Sequence, residues 1–457
     1  MQSPRLSLSL GKSLCLLLAC ISSVARAGEV FVSPSGKDDA AGTKAAPFKT
    51  VGRALKGASA GDTITLRAGR YAGGVRITKP RITLQGHPGE RAIIASPPKG
   101  KGPHAALSIA RGGDGVVIRN LEIGGGTMHA VDFEAANCVI EDCVCHDTGA
   151  DVIKCSPSSS KITIRRCEIY NSAGGAKYGW KSNAEGIDNV RSDDMLVQDC
   201  FIHDTATNGV YAKGGARRAI IERCLFMRIG LDRSVQGQGV ILGEHAGGTK
   251  TYENFDSTVR NCIFIDISGA GVALWCADGP KVYNNTMVNV AKTDRAGIII
   301  LQNHDRPTRN ATIINNIVAV APGSQKAWVW IYPNGHAGTL TMDRNVYFGG
   351  VGKFVDSRKG WKEYRTIAAW SKATGCDAGS VVCDPGVDPK TGHLKPGSPC
   401  IDSGEALKEV ADDYDGAMRK GKFDIGADEF KAGAPLPVPP AKGTVGTRPK
   451  KIPRHAK

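Results

Sequence analysis

Short aliphatic runs alternate along this chain with clusters of Gly, Asn, Asp and Ser, and one phrase keeps returning: an aliphatic pair, two polar residues, then Cys or Asn, then more aliphatics. The Cys/Asn positions are Asn120, Cys143, Cys167, Cys200, Cys224, Cys262, Asn285, Asn316 and Asn345, with steps of 23, 24, 33, 24, 38, 23, 31 and 29 residues. Runs this short, bounded by turn residues, read as strands. No unit carries a 3.6-residue apolar period, which argues against leucine-rich and helical solenoids. A near-fixed short period means stacked units, none of which can bury its apolar face alone. Two or three strands per unit fit an all-β solenoid, a single-stranded right-handed parallel β-helix with one repeat per coil and coils about 4.8 Å apart. The repeated Cys/Asn position then forms an internal ladder in which Asn bonds to the next rung and Cys packs as a small hydrophobe. The long steps place insertions near Ser172–Asn183, Leu231–Asn254 and Asn303–Asn310. These read as loops walling a groove, or as neutral surface insertions.

The ends differ from the middle. Arg5 and Lys12 precede the apolar run Ser13–Val24 and Ala25-Arg26-Ala27, the pattern of a secretory signal ending at residue 27, with a lipoprotein site at Cys20 ranked second. The expected location is therefore secreted or periplasmic, and no stretch is long enough to span a bilayer. Apolar residues at helical spacing between Phe48 and Leu55 predict an amphipathic helix capping the open core, with no coil before it. The expected organisation is a signal at 1–27, a cap and first coils at 28–105, β-helix coils at 106–350, a closing segment at 351–430 and a basic, Pro-rich disordered tail at 431–457.

Charge changes the picture little. The formal net charge is +15, and removing residues 1–27, with three basic groups and no acids, leaves +12. The last 27 residues carry seven Lys/Arg and no acid, so the folded body is only mildly basic. No nucleic-acid motif accompanies the charge, and none is expected as partner. Of the 14 cysteines, 12 lie beyond residue 27. Five occupy the ladder position and read as buried thiols, whereas Cys376 and Cys383 flank a short polar loop as a candidate disulfide. No Cys/His spacing matches a zinc site.

Specific segments carry a family resemblance. Val30–Gly36, Gly42–Thr50 and Ala60–Tyr71 at the start, with Asp384–Asp388, Leu394–Gly404 and Asp424–Phe430 at the end, resemble bacterial secreted right-handed β-helix repeat proteins. That group includes polysaccharide lyases similar to pectate lyases and chondroitinase B. The resemblance implies this fold and export for about residues 29–430, with action on a polysaccharide.

Candidate chemistry lies on three consecutive coils. Aligning Gly149–Lys154, Gly186–Arg191 and Asn208–Lys213 places Lys154, Arg191 and Lys213 in one column, which predicts a cationic strip facing an acidic glycan. The reaction this points to is β-elimination. Lys213 is the expected base, its charged form disfavoured by the Arg191 cation, while Arg191 and Lys154 hold carboxylates and Tyr211 protonates the leaving oxygen. Asp151, Asp188, Glu185 and Asn183 offer the hard oxygens that Ca²⁺ takes. The run from Asp151 to Lys154 is loosely similar to the acid cluster with Lys and Arg on adjacent coils of chondroitinase-B-like enzymes, and none of the six Trp residues is followed by Asp-His, as the pectate lyase type would have it. His146 and His203, each followed by Asp-Thr, read as sugar contacts or proton carriers, or as packed turn residues. Two alternatives stay open: a glycoside hydrolase using Asp132 or Glu134 with Asp151 or Asp188, and a non-catalytic carbohydrate-binding surface protein. A monomer is expected.

Overall fold

The computed structural model describes residues 28–173, 184–232, 237–244, 251–303 and 306–432. Three parallel ladders run its length. The first begins Glu29–Val32, Thr63–Leu66, Thr83–Gly86 and Val117–Arg119, and the second Gly69–Ala72, Ala92–Ala95 and Glu122–Gly124. The third begins Val75–Ile77, Ala105–Ile109 and His129–Phe133. The chain visits the three faces in turn and rises one rung per circuit, which is the right-handed parallel β-helix that the periodicity predicts. Glu29–Val32 is already a rung, so the segment before the helix is part of the solenoid and not only a cap.

The helix itself spans Val51–Gly57, with the Thr50 side chain accepting from Arg53 N, and buries Val51 and Ala54 over the first coils. At the other end a second helix, Ile367–Thr374, inserts the fully buried Trp370 against Phe354 (4.9 Å between centroids). Both open ends of the apolar core are thus covered, as a solenoid requires.

The internal ladder is present with one correction. Arg119 pairs with Glu141, so Asn120 matches Asp142 and the rung beside Cys143 is Leu121. Asn120, Asp142, Arg166 and Asp199 all have φ near +55°, the left-handed corner where Asn and Asp are tolerated best. Above the cysteines, Asn285 Nδ2 donates to Asn316 Oδ1 and Asn316 Nδ2 to Asn345 Oδ1, both at 3.0 Å. The buried Asp377 ends this amide stack, accepting from Asn345, Tyr347, Trp370 and Ser380. All 12 described cysteines are free thiols. The bridge expected between Cys376 and Cys383 is absent: Cys376 packs into the main core and Cys383 into a separate cluster with Cys400.

The closing segment doubles back along the corner between the first and second ladders. Asn315 donates to Glu405 O, Asn284 to Asp424 O and Asn261 to Asp412 O, while Arg223 pairs with Asp412 at 2.6 Å. A glycine sits immediately before four successive strands of the third face, Ile187–Val190, Val210–Lys213, Val240–Gly243 and Val272–Trp275. A Cβ on Gly209 would meet Gly239 O at 2.5 Å, and one on Gly239 would meet Gly271 O at 2.5 Å, so the coils close tightly here. At the Asn303–Asn310 excursion, Gln302 pairs antiparallel with Pro307 and Asn303 with Arg306. Parts of the other two insertions, residues 1–27 and residues 433–457 lie outside the described residues. Among the described residues no helix is long and apolar enough to cross a membrane.

Candidate functional site

The third face presents alternate residues outward, and its register decides which of them meet. Asp132 pairs with Lys154, Lys154 with Asp188, and Asp188 with Tyr211. The signs along the column alternate, so the expected strip of three cations does not form. Arg191 leaves the strand at φ +60°, is exposed, and donates Nε to Gly214 O at 3.0 Å. It therefore does not join the column, and its backbone N donates to Lys213 O at 3.0 Å. Lys213 lies opposite Val190 and folds back instead, its Nζ 3.6 Å from the Tyr211 ring centroid and 3.3 Å from Asp188 Oδ1.

The turns before the strands bring the acids together. Asp151 precedes the strand Ile153–Cys155, and Glu185 precedes Ile187–Val190, which carries Asp188. Their carboxylate oxygens lie within 4.8 Å of one another, and all three residues are buried. Glu185 N donates to Asp151 Oδ1 at 3.2 Å, and Asn208 Nδ2 to Glu185 Oε1 at 3.3 Å. Lys154 makes a short contact to Asp188 Oδ2 and lies 3.9 Å from Asp151. Two oxygens remain wanting: Glu185 Oε2 and Asp188 Oδ1 are buried and receive no hydrogen bond of good geometry. Lys213 offers Asp188 Oδ1 only its charge.

Burial, then repulsion from Asp151, holds both the Glu185 and Asp188 carboxyls above their ordinary values. Burial also pushes Asp151 up, but the Glu185 contact, His129 and Lys154 outweigh it and leave that acid below its ordinary value. Burial opposes the Lys154 ammonium, yet Asp188 and Asp151 raise it on balance. Burial, then the Glu244 carboxylate, keeps the Tyr211 phenol well above its usual range and so protonated. Three acids in one dry pocket against two ammonium groups are an electrostatic problem that a divalent cation would relieve. The donor set, hard oxygens with two wanting for hydrogen bonds, fits Ca²⁺.

Of the expected ligands, Asp151, Glu185 and Asp188 meet and Asn183 lies outside the described residues. His146 and His203 do not approach the cluster. They project from the second face, stacked on either side of Tyr170 at 5.0 and 4.9 Å. The sequence reading missed His129, whose Nδ1 lies 3.7 Å from Asp151 Oδ2. It sits 22 residues upstream of Asp151, about one coil, and the period alone could have found it. A second group, His393, Asp415 and Asp428, satisfies the same distance in the closing segment. There His393 Nε2 pairs with Asp415, and Asp428 accepts from Leu394 N.

Known proteins share this architecture. The pectate lyase Pel9A crystal structure superposes with a TM-score of 0.54 at 14% identity, covering 88% of this chain and 96% of that one. The XylC complex with xylose gives 0.55 at 12% identity, covering 88% and 98%. At such identities these likenesses speak for the fold alone. In sequence, the chain is 39% identical over 92 residues to "Pectate lyase PEL9" of Emericella nidulans, 19% of this chain and about a fifth (22%) of that relative's length. The model of the Pel9A-like right-handed beta-helix region matches residues 30–292, more than half of the chain, and the chain belongs to that family.

Proposed function

We propose that the protein is an exported polysaccharide lyase that cleaves an acidic, uronate-containing glycan by β-elimination. The observation that carries this reading is the convergence of Asp151, Glu185 and Asp188 beside Lys213, with two of their buried oxygens lacking a hydrogen bond of good geometry. Family membership and the pectate lyase relative support the substrate class. Asp151, Glu185 and Asp188 would hold Ca²⁺, which when bound neutralises a uronate carboxylate and thereby acidifies the adjacent C–H.

The chain's own groups then have separable tasks. Lys213 Nζ takes the proton α to the carboxylate. For that its amine must be free, and Asp188, its partner at 3.3 Å, must turn its charge elsewhere. The Tyr211 ring under Nζ fixes the direction of the amine, and the protonated phenol is the proton donor for the leaving oxygen. Lys154, the more open of the two lysines, meets a sugar carboxylate at the rim.

The test is a screen of the protein against polygalacturonate, alginate, chondroitin sulfate, hyaluronan and heparan sulfate, with calcium and with chelator. The expected result is ultraviolet absorbance from unsaturated products in calcium only. New reducing ends without that absorbance would mean hydrolysis. Retention on a glycan with no product would mean a binding protein.

A further inference from the structure

Beyond the acid cluster, the same outward column changes character. From Tyr211 it continues through Ile241, Ala273 and Ile299 to Trp330. Outward positions on a β-helix face solvent unless something covers them, yet these aliphatic residues are buried. They form one apolar cluster with Tyr211 at one end, over which Trp275, Trp330 and Tyr332 lie half-buried. At the far end Trp330 stacks on Tyr332 at 4.9 Å and meets Trp361 edge-on at 4.7 Å. Trp361 is 57% exposed. The Arg295 guanidinium sits 5.0 Å from the Tyr332 ring and 6.0 Å from that of Trp330, with only a loose 3.9 Å contact to Asp294. Tyr332 Oη is buried and has no hydrogen-bond partner among the described residues.

We propose that Arg295, Trp330, Tyr332 and Trp361 form a distal sugar-binding platform for the same acidic polysaccharide. It lies five rungs, or roughly 24 Å, from Asp188. The inference rests on the reading of the acid cluster as a glycan site. Three features select this occupant over a protein partner. The platform is continuous with the acid cluster through one apolar strip. Flat rings at its surface match the C–H faces of pyranose rings, which bury apolar area while their hydroxyls stay wet. Arg295, held only loosely by Asp294, supplies the charge that a uronate carboxylate requires. A pyranose repeat is about as long as one coil rise, so a chain anchored at the cluster reaches the platform with about its fifth sugar. The consequence is a preference for long chains.

The experiment measures binding in calcium, by affinity electrophoresis in gels holding each of the five polymers and by calorimetry with a trimer and a decamer of the polymer that retards the protein most. All proteins compared carry Lys213→Ala, so that the polymer is bound and not cleaved: Lys213→Ala alone, Lys213→Ala/Trp361→Ala and Lys213→Ala/Arg295→Ala. The expected result is that Lys213→Ala alone binds the decamer far more tightly than the trimer. Adding Trp361→Ala or Arg295→Ala weakens decamer binding roughly tenfold and leaves trimer binding alone. Decamer affinity unchanged in both platform variants overturns the proposal, as does a Lys213→Ala protein retarded by no polymer. A dimer of the Lys213→Ala protein that Trp361→Ala dissociates would also overturn it, making this a protein interface. Because binding is read without turnover, binding through the platform alongside a wild type that releases no unsaturated product leaves the platform standing and sinks only the lyase reading.

Discussion

Two ionisable clusters project from this solenoid, on different faces, and they are built on opposite principles. On the second face His146 and His203 flank Tyr170, and all four imidazole nitrogens face a carboxylate: Asp147 and Glu122 at 2.8 and 3.3 Å, Asp204 and Glu168 at 2.7 and 3.1 Å. Arg228 in turn neutralises Asp204 at 2.7 Å. On the third face three buried acids face one another and two of their oxygens want for hydrogen bonds. A satisfied network holds a fold together, whereas an unsatisfied one costs stability and is kept for what it binds. The difference teaches that a cluster's residue types do not reveal its role. Its deficit of partners does.

The sharpest way to break that contrast is to remove one residue from the deficient site. Lys213→Ala should lower product formation by at least about 10³-fold, the upper range for losing a positioned base, while the melting temperature stays near that of wild type. Lys213→Arg should not restore turnover, since a guanidinium does not give up its proton. Initial rates by ultraviolet absorbance check this. A Lys213→Ala protein that keeps a tenth of the wild-type rate would remove Lys213 from the chemistry.

The contrast can next be tested by the same substitution on both faces. Glu168→Gln takes the charge from the partner of the fully buried His203 and should cost about 3 kcal/mol, the scale of breaking a buried pair. Glu185→Gln removes a charge that burial and Asp151 already oppose, so without calcium it should cost less than about 1 kcal/mol. In return, calcium should no longer raise the melting temperature of Glu185→Gln as it raises that of wild type. Chemical denaturation with and without calcium reads both effects. Equal losses on the two faces would mean that the acid cluster is structural.

The fold was legible because its determinant is periodic. A rung every two dozen residues or so fixes the coil, and even the misplaced first rung, Asn120 for Leu121, moved the register by a single residue. The acids were legible for the same reason, since Asp151, Glu185 and Asp188 lie near equivalent points of neighbouring coils. The cationic column was not. Sequence alignment put Lys154 and Arg191 level, but in a strand a slip of a few residues changes both rung and face, and Arg191 already stands in the left-handed corner. Whether the two histidines serve the site or pack at a turn was not legible, because their Asp-Thr context looks alike on any face. Only the three-dimensional circuit shows that the second ladder points away from the third. The aromatic strip left no repeated word at all, since Trp330 and Trp361 meet through register and an antiparallel strand pair rather than through spacing.

The mildest perturbation, a change of pH, should separate the faces without mutation. Burial alone would lower the His146 value, but Asp147 and Glu122 overcome it and raise it to about 9 from the ordinary 6.5. The native state therefore holds this proton more tightly than the unfolded chain does. The stabilisation is complete below about pH 6.5 and is lost as pH climbs through about 9, a decline of about 2 kcal/mol after allowing for partial exposure. Urea midpoints measured across that window should fall for wild type and stay flatter for His146→Gln. A wild-type decline that survives in His146→Gln would mean that the stack on the second face does not hold the proton, and the division between a satisfied face and a deficient one would lose its simplest support.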